Sequence, residues 1–394
     1  MHRQRRILLV METSRAYGRS ILRGIAKYSR AHGPWIFYRP APFYRDTGRR
    51  KGPLSQLLKL GADGAILREQ VKREQIEEVL ATGLPVIVSP YTEPFPEVPN
   101  IISDDQAIGR MAAEYFLHRG FRQFAYCGFG NLYFWSRERG RGFCLRVREA
   151  GYEPHWYEHE QRAFASRQSW EREQGVLVDW LRSLPIPVGL MACNDDRSQI
   201  VLDACKIAGL HVPEQVAILG MGNDDLVCDL AVPRLSSIAL SAEKAGYEAA
   251  ALLDHWMAGG SVADRTVVGL PRYVVTRQST DVFAVADPYV LEALRFIHGW
   301  AGSKPIQVDD VVKAIPLSRR SLCDRMAKTL GRSVHEEIKR VRVDQLLRLL
   351  VGTDLSVSQI ASKLGCSDVK NLARYFKQET GVTPLQYRKR HLLA

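Results

Sequence analysis

The sequence predicts two architectures in series: an α/β portion with mainly parallel sheets over roughly the first 280 residues, then an all-α tail with two helix-turn-helix units. Three observations predict it. Short β-rich runs alternate with amphipathic helical patterns through the first portion. After Asp287-Pro288 the strand-like runs stop and three-to-four periodicity continues to the end. The charge is also uneven. Of the net +12, Asp287–Ala394 carries +8, from 19 basic and 11 acidic residues, and the larger remainder carries +4, from 36 and 32. Such asymmetry points to a nucleic-acid-binding segment. At 394 residues and 46% hydrophobic, the chain has room for two or three domains with real cores.

The strand runs are Ile7–Met11, Trp35–Tyr38, Gly64–Leu67, Pro85–Ser89, Phe124–Gly128, Val188–Asn194 and Val216–Gly222. Between them, Tyr17, Ile21, Ile25 and Tyr28 repeat as a helix facing a sheet does, and so do Ile108, Met111, Ala112 and Tyr115 behind an N-cap at Ser103 or Asp104. Gly83-Leu84-Pro85 and Gly209-Leu210 read as helix ends. Parallel sheets bind ligands at the carboxyl ends of their strands, so the loops there are the candidate site. They carry Ser14, Arg15 and Tyr17; Glu69; Trp135 and Arg139; Asn194 and Asp195; and Asn223. Carboxylate and amide oxygens accept from hydroxyls, arginine donates, and an aromatic face covers C–H groups, which together suit a sugar. Any one such loop is ordinary turn chemistry; four at one sheet edge favour a binding cleft.

Several classes are excluded. No run of about 18 apolar residues could cross a membrane, and Ile7–Met11 is too short for a signal sequence. The seven cysteines form no C-x-x-C pair, so they read as buried thiols in a reducing cytoplasm, with no metal and no cofactor expected. Gly128-x-Gly130 lacks the rest of a dinucleotide fingerprint, no phosphate loop occurs, and no nucleophile elbow is present, so an enzyme is not expected.

In the tail, Leu291, Leu294 and Ile297 begin the helical periodicity. Ser318 is an N-cap for a helix carrying Leu322 and Met326 and closed by Gly331, with Arg319, Arg320, Ser321 and Arg325 near its start or on its outer face. A long helix follows over about 335–350. Then Leu355 to Asp368 reads as helix, glycine turn and capped helix, the pattern of a unit whose second helix enters the major groove. That second helix shows Lys370, Asn371, Arg374 and Lys377 outward, with Ser367 at its start.

Two resemblances follow. Ile102-Ser103-Asp104-Asp105, Phe116 to Tyr126, Arg139 with Gly142-Phe143, Ala192 to Asp195, and Leu235 to Ile238 resemble the LacI-type, periplasmic-binding-protein-like sugar sensor, in which two α/β lobes close on a sugar. By that resemblance Arg139 clamps hydroxyls, Asn194 and Asp195 line the cleft, and Asn223 comes from a Gly-x-Asp-Asn/Asp loop. Gly222 stands where that family has an acidic residue. The amino-terminal helix-turn-helix of LacI proteins has no counterpart ahead of the first strand. The tail resembles the AraC-type domain over its full length, through Leu355, Gln359-Ile360-Ala361, Gly365 to Asp368, Leu372, Arg374, Phe376-Lys377 and Gly381 to Arg388. Its first unit is more diverged, with Met326-Ala327 in place of Phe-Lys. The order of the two parts is that of the xylose-operon regulator family. The resemblance implies a sensor of two lobes over 1–281, a linker over 282–289 and a DNA-binding domain over 290–394. It implies a cytoplasmic homodimer in which xylose or a related sugar closes the sensor cleft and repositions the two DNA-binding domains on double-stranded operator DNA, recruiting RNA polymerase as an activator. The alternatives are another sugar, repression, a transport-type binding protein, or a sugar-processing enzyme with a DNA-binding tail.

Overall fold

The computed structural model describes residues 4–39, 59–69, 73–157, 167–262, 265–300, 305–366 and 368–392. The chain builds a first lobe from β1 (Arg6–Val10), α1 (Ala16–Ala31), β2 (Ile36–Tyr38), β3 (Gly64–Arg68), α2 (Arg73–Leu80) and β4 (Val86–Ser89). It crosses through β5 (Ile101–Ser103) to a second lobe. That lobe holds α3 (Asp105–His118), β6 (Gln123–Cys127), α4 (Phe134–Glu149), β7 (His155–Trp156), α5 (Arg167–Ser183), β8 (Val188–Ala192), α6 (Asp195–Ala208), β9 (Val216–Met221), α7 (Asp225–Leu230) and β10 (Ser236–Leu240). The chain then returns through α8 (Ala242–Met257) and β11 (Val267–Gly269), and crosses a third time into β12 (Pro271–Val275).

Each lobe has its own sheet. The first runs β2-β1-β3-β4, all parallel; the second runs β12-β10-β9-β8-β6-β7, parallel except for edge strand β12. The period-2 alternation of β1 sends Ile7 and Leu9 to one face, under α1 and α8, and Leu8 and Val10 to the other, over Ile76 and Val79 of α2. Helices α1 and α8 approach closely because Gly24 and Gly246 each lie against the other helix's backbone, where a Cβ would collide. Each expected strand run forms a strand, with ends shifted by one or two residues. Asp104 is the N-cap of α3, accepting from Ala107 N at 3.1 Å. Gly209 closes α6 in the left-handed region, as its place after the periodic stretch predicts.

A two-stranded parallel ribbon, β5 with β11, joins the lobes. Hydrogen bonds from Asp104 N to Gly269 O (3.0 Å) and from Ser241 N to Leu270 O (2.9 Å) tie the three crossings together.

The tail contains α9 (Pro288–Gly299), α10 (Val308–Ala314), α11 (Arg319–Leu330), α12 (Val334–Gly352), α13 (Val357–Lys363), α14 (Val369–Thr380) and α15 (Pro384–His391). Pairs α10–α11 and α13–α14 are the two units, and α12 spans between them. Ser318 caps α11 and Gly331 ends it, both as expected. The stretch expected as a linker differs. Its side chains alternate between two cores: Val282 and Ala284 pack into the second lobe, and Phe283 and Val285 into the tail. Ala284 N also donates to Arg119 O at 2.9 Å. Helix α9 then starts at Pro288, two residues earlier than expected, with the Asp287 carboxylate capping it. An apolar alternating segment packs its side chains against nearby cores, half-buried, rather than running free in water.

Candidate functional site

The carboxyl-end loops of both sheets meet in a cleft of about 410 Å³. From the first lobe come Glu12, Ser14, Arg15, Tyr17, Arg68 and Tyr91; from the second come Asp105, Tyr133, Trp135, Arg139, Asn194, Asp195, Asp196, Gly222 and Asp224.

Arg139, on α4, is 5% exposed. Its Nε donates to Asp105 Oδ1 at 2.8 Å and its Nη1 to Cys193 O at 2.7 Å. The guanidinium lies 4.6 Å from the Trp135 ring centroid. Trp135 stacks on Tyr133 at 5.1 Å and 8°, and its Nε1 is buried without a partner among the described residues. Asp195 opens α6. It accepts from Ser237 Oγ at 2.5 Å and from Asp224 N at 2.8 Å. Burial pushes the Asp105 and Asp195 carboxyls up to about 6, against the pull of Arg139 on the first and of those hydrogen bonds on the second. Across the cleft, buried Arg68 sits between the Tyr17 and Tyr91 rings, at 4.8 and 4.1 Å from their centroids. It pairs with Glu12 at 3.3 Å and donates to Ser89 Oγ at 2.7 Å.

The lobes are clasped across the mouth. Arg15 Nε donates to Asp196 Oδ2 at 2.6 Å. Asp224 accepts from Ala16 N at 2.6 Å, at the start of α1, and from Arg19 Nη2 at 2.9 Å. Elsewhere on the rim, Arg137 pairs with Glu93 at 2.9 Å.

Of the expected cleft residues, Ser14, Arg15, Tyr17, Trp135, Arg139, Asn194 and Asp195 line it. The Asn194 side chain is already engaged, capping α6 through Arg197 N at 2.8 Å. Glu69 and Asn223 are corrections, since neither lines the cleft. Glu69, just after β3, accepts from Tyr91 N, Thr92 N and Thr92 Oγ1 at 2.6–2.8 Å, which fixes the loop after β4. Asn223 sits at φ 48, and its Oδ1 accepts from Arg277 at 3.0 Å. Gly222 has φ 124 and a Cβ there would lie 3.1 Å from Asp195 Oδ2, so the acidic residue of the resembled family has no relaxed place here. Sequence reasoning missed Arg68, Tyr91 and Asp105 as wall residues. Glu12, Asp196 and Asp224 were visible in the same polar loops.

In the tail, Arg319, Arg320 and Arg325 are exposed on α11, and Ser321 is half-buried in its first turn. Arg319 pairs with Asp309 and Arg325 with Asp287, each at 2.7 Å. On α14, Lys370, Asn371, Arg374 and Lys377 are exposed while Leu372 and Phe376 are buried. Ser367 lies outside the described residues. The Asp368 carboxylate caps α14, accepting from Lys370 N at 2.7 Å.

The tail docks on the lobes through polar contacts. Glu337 of α12, wholly buried, accepts from Arg332 Nε (2.6 Å), Arg340 Nη2 (2.6 Å) and His298 Nε2 (2.9 Å). Arg332 Nη2 reaches His118 O, at the end of α3, at 2.6 Å. Tyr387 Oη donates to Arg272 O at 3.1 Å, and Tyr273 of β12 packs in the core of the second unit. Among the described residues, no cluster of His, Cys, Asp or Glu could hold a metal ion, and no helix is long and apolar enough to cross a membrane.

The chain matches two family models: a periplasmic binding protein-like domain over residues 113–280 and a helix-turn-helix domain over 311–390. It is 29% identical to the xylose operon regulatory protein of Escherichia coli (strain K12), over 98% of this chain and 97% of that one. It is 28% identical to the Haemophilus influenzae protein of the same name, over 97% and 98%. Among solved structures it resembles a xylose-binding transcription activator, with a TM-score of 0.60 and 27% identity over the full length of both chains. A LacI-type protein from Alkaliphilus metalliredigens complexed with D-xylulofuranose shares the fold of the lobes, with a TM-score of 0.55 and 21% identity over 71% of this chain and 99% of that one.

Proposed function

Since the chain belongs to the xylose-operon regulator family, with a LacI-like sensor ahead of an AraC-type helix-turn-helix domain, we propose that D-xylose or a close relative is its effector and that it activates a sugar catabolic operon. It is a sugar-responsive DNA-binding transcription regulator, not an enzyme. The observation that carries the effector reading is the cleft itself. Buried Arg139 and Asp195 and the unpartnered Trp135 Nε1 supply donors and acceptors beside a stacked aromatic pair, the composition that binds a polyol with alternating O–H and C–H faces. In this reading Arg139, Asp195, Trp135, Ser14, Arg15 and Tyr17 touch the sugar. The protein acts in the cytoplasm as a homodimer, and its two readers recruit RNA polymerase from adjacent half-sites. A thermal-shift screen of pentoses tests the effector directly, because a ligand of the native state raises Tm; no shift with any pentose removes xylose as the effector.

Arg374 supports the reading of bases. It is exposed on α14, nearly two turns beyond the Asp368 cap, on a helix placed to meet base edges. Arg374→Ala should weaken operator binding by about 1–3 kcal/mol and relax preference at one position. Footprinting across single-base operator variants reads this out; an unchanged preference removes Arg374 as a base reader.

An exposed apolar patch supports the dimer. Leu226, Leu230 and Val232 are 64%, 82% and 73% exposed on and just after α7, and contiguous apolar surface marks association sites. Leu230→Asp should turn the dimer into a monomer in sedimentation velocity and lower operator affinity, because the two half-sites then bind separately. A dimer that persists in this variant places the interface elsewhere.

A further inference from the structure

The two helix-turn-helix units repeat one pattern at an offset of 50 residues, from Ser318 to Asp368. Each of these residues caps its helix, α11 or α14. Buried Leu322 and Met326 match buried Leu372 and Phe376, and left-handed Gly331 matches left-handed Gly381. The following helices keep the register, since the capping boxes of Ser333 and Thr383 match in the same way. Two helices that share cap, core and end present the same outward stripe, so their exposed residues correspond position by position.

The stripe of α14 is Lys370, Arg374, Lys377 and Gln378, all exposed. Its counterpart on α11 is Arg320, Asp324, Ala327 and Lys328, also exposed. The central position is therefore arginine in one unit and aspartate in the other. Two further arginines of α11 fall off this stripe. Arg319 and Arg325 match half-buried Val369 and Tyr375, and the domain itself holds them. Arg319 pairs with Asp309 and Arg325 with Asp287, and the Arg325 guanidinium lies 5.3 Å from the Tyr289 ring centroid. Tyr375 makes the equivalent attachment in the second unit, donating to Lys339 O at 2.9 Å. Asp324 has no such tie. It caps no helix, and no ion pair or hydrogen bond engages its carboxylate among the described residues.

A carboxylate on a face turned to DNA is repelled by the phosphates. The repulsion is offset where the carboxylate accepts from a base, and the major-groove donor that suits it is the cytosine N4 amine. Adenine also offers an amine, but its N7 beside it is an acceptor and turns a carboxylate away. Arginine at the same place donates twice, to guanine O6 and N7. We propose that Asp324 is a base-selective residue of the first unit and accepts from a cytosine amine. The two units then read opposite chemistry at their matching position: a G·C pair meets one unit by its cytosine and the other by its guanine. The opposition rests on the Arg374 reading above; the role of Asp324 does not.

Selection from one pool of randomised duplexes tests this on the full chain, with and without D-xylose. The wild type, Asp324→Asn and Arg374→Ala each select, and the enriched sequences are aligned. The wild type should favour cytosine at one position of the first unit's subsite by about tenfold. Asp324→Asn should move that position alone to adenine, because a carboxamide accepts from N6 and donates to N7. Fluorescence anisotropy then uses two selected duplexes that differ only at that pair, and Asp324→Ala should bind both equally. Identical preferences for Asp324→Asn and the wild type at every position overturn the inference. So does an Asp324→Ala protein that binds both duplexes more tightly and still discriminates between them, since its carboxylate only repelled. If Arg374→Ala changes the selected sequences and Asp324→Asn does not, the Arg374 reading survives and the role of Asp324 falls. The reverse result removes Arg374 as a reader and leaves Asp324 in place.

Discussion

Replacing Glu337 by alanine should lower the stability of the chain by about 3 kcal/mol, because a wholly buried carboxylate is removed from two half-buried guanidiniums, of which Arg340 keeps Asp344 at 2.8 Å. Its carboxylate receives Arg332, Arg340 and His298 at 2.6–2.9 Å. Arg332 would keep its bond to His118 O but lose the charge that holds it there. Hydrogen bonds from His298 and the two guanidiniums draw the Glu337 carboxyl far below the usual carboxylate range despite its burial. Burial meanwhile keeps the His298 imidazole low, and so neutral near pH 7. A carboxyl depressed in the folded chain stabilises fully above its unfolded pKa of about 4.3, and that contribution is lost as pH falls below it. The wild type should therefore lose stability between about pH 5 and pH 3 more steeply than Glu337→Gln. Urea unfolding at a series of pH values measures both slopes. Parallel slopes for the two proteins would show that Glu337 carries no charge-linked stability.

Arg139→Ala should abolish the proposed xylose binding and cost about 3–5 kcal/mol of stability. Two buried groups lose their partner at once: Asp105 loses its counter-charge and Cys193 O its donor. The Asp105 carboxyl, already up at about 6 through burial, then rises further, because the charge that held it down is gone. Arg139→Lys restores the charge without the two-armed fork and should recover part of the stability and little of the affinity. Calorimetric titration with D-xylose and thermal melts of both variants separate the two effects. A folded Arg139→Ala protein that binds xylose undiminished takes Arg139 out of the site.

The two-part architecture was legible because each part repeats its period many times. Caps were legible too: Asp104, Ser318 and Asp368 begin helices and Gly209 and Gly331 end them, each through a local hydrogen bond or a left-handed φ. Arg139 and Asp195 could be placed from the resemblance. The hinge ribbon could not, because β5 and β11 have three residues each, too few for a period to show. Glu69 and Asn223 misled for one reason: a polar side chain on a loop is often taken first by a neighbouring loop's backbone or a neighbouring arginine. Arg68 and Tyr91 escaped notice because their role arises from packing between β3 and the loop after β4. The segment from Val282 to Val285 was read by position, as the stretch between two parts. Its four consecutive apolar residues were the better signal.

That segment sets the kind of attachment between the two halves. A flexible tether would let each reader search a volume and settle on half-sites at many separations, with an effective concentration that falls slowly with distance. Here alternate, partly buried side chains pack against opposite cores, which leaves the tether little free length. In the proposed dimer the two halves should therefore behave as a ruler. An operator whose half-sites are moved by half a helical turn presents its second site on the wrong face of the duplex, where no slack in the protein can follow it.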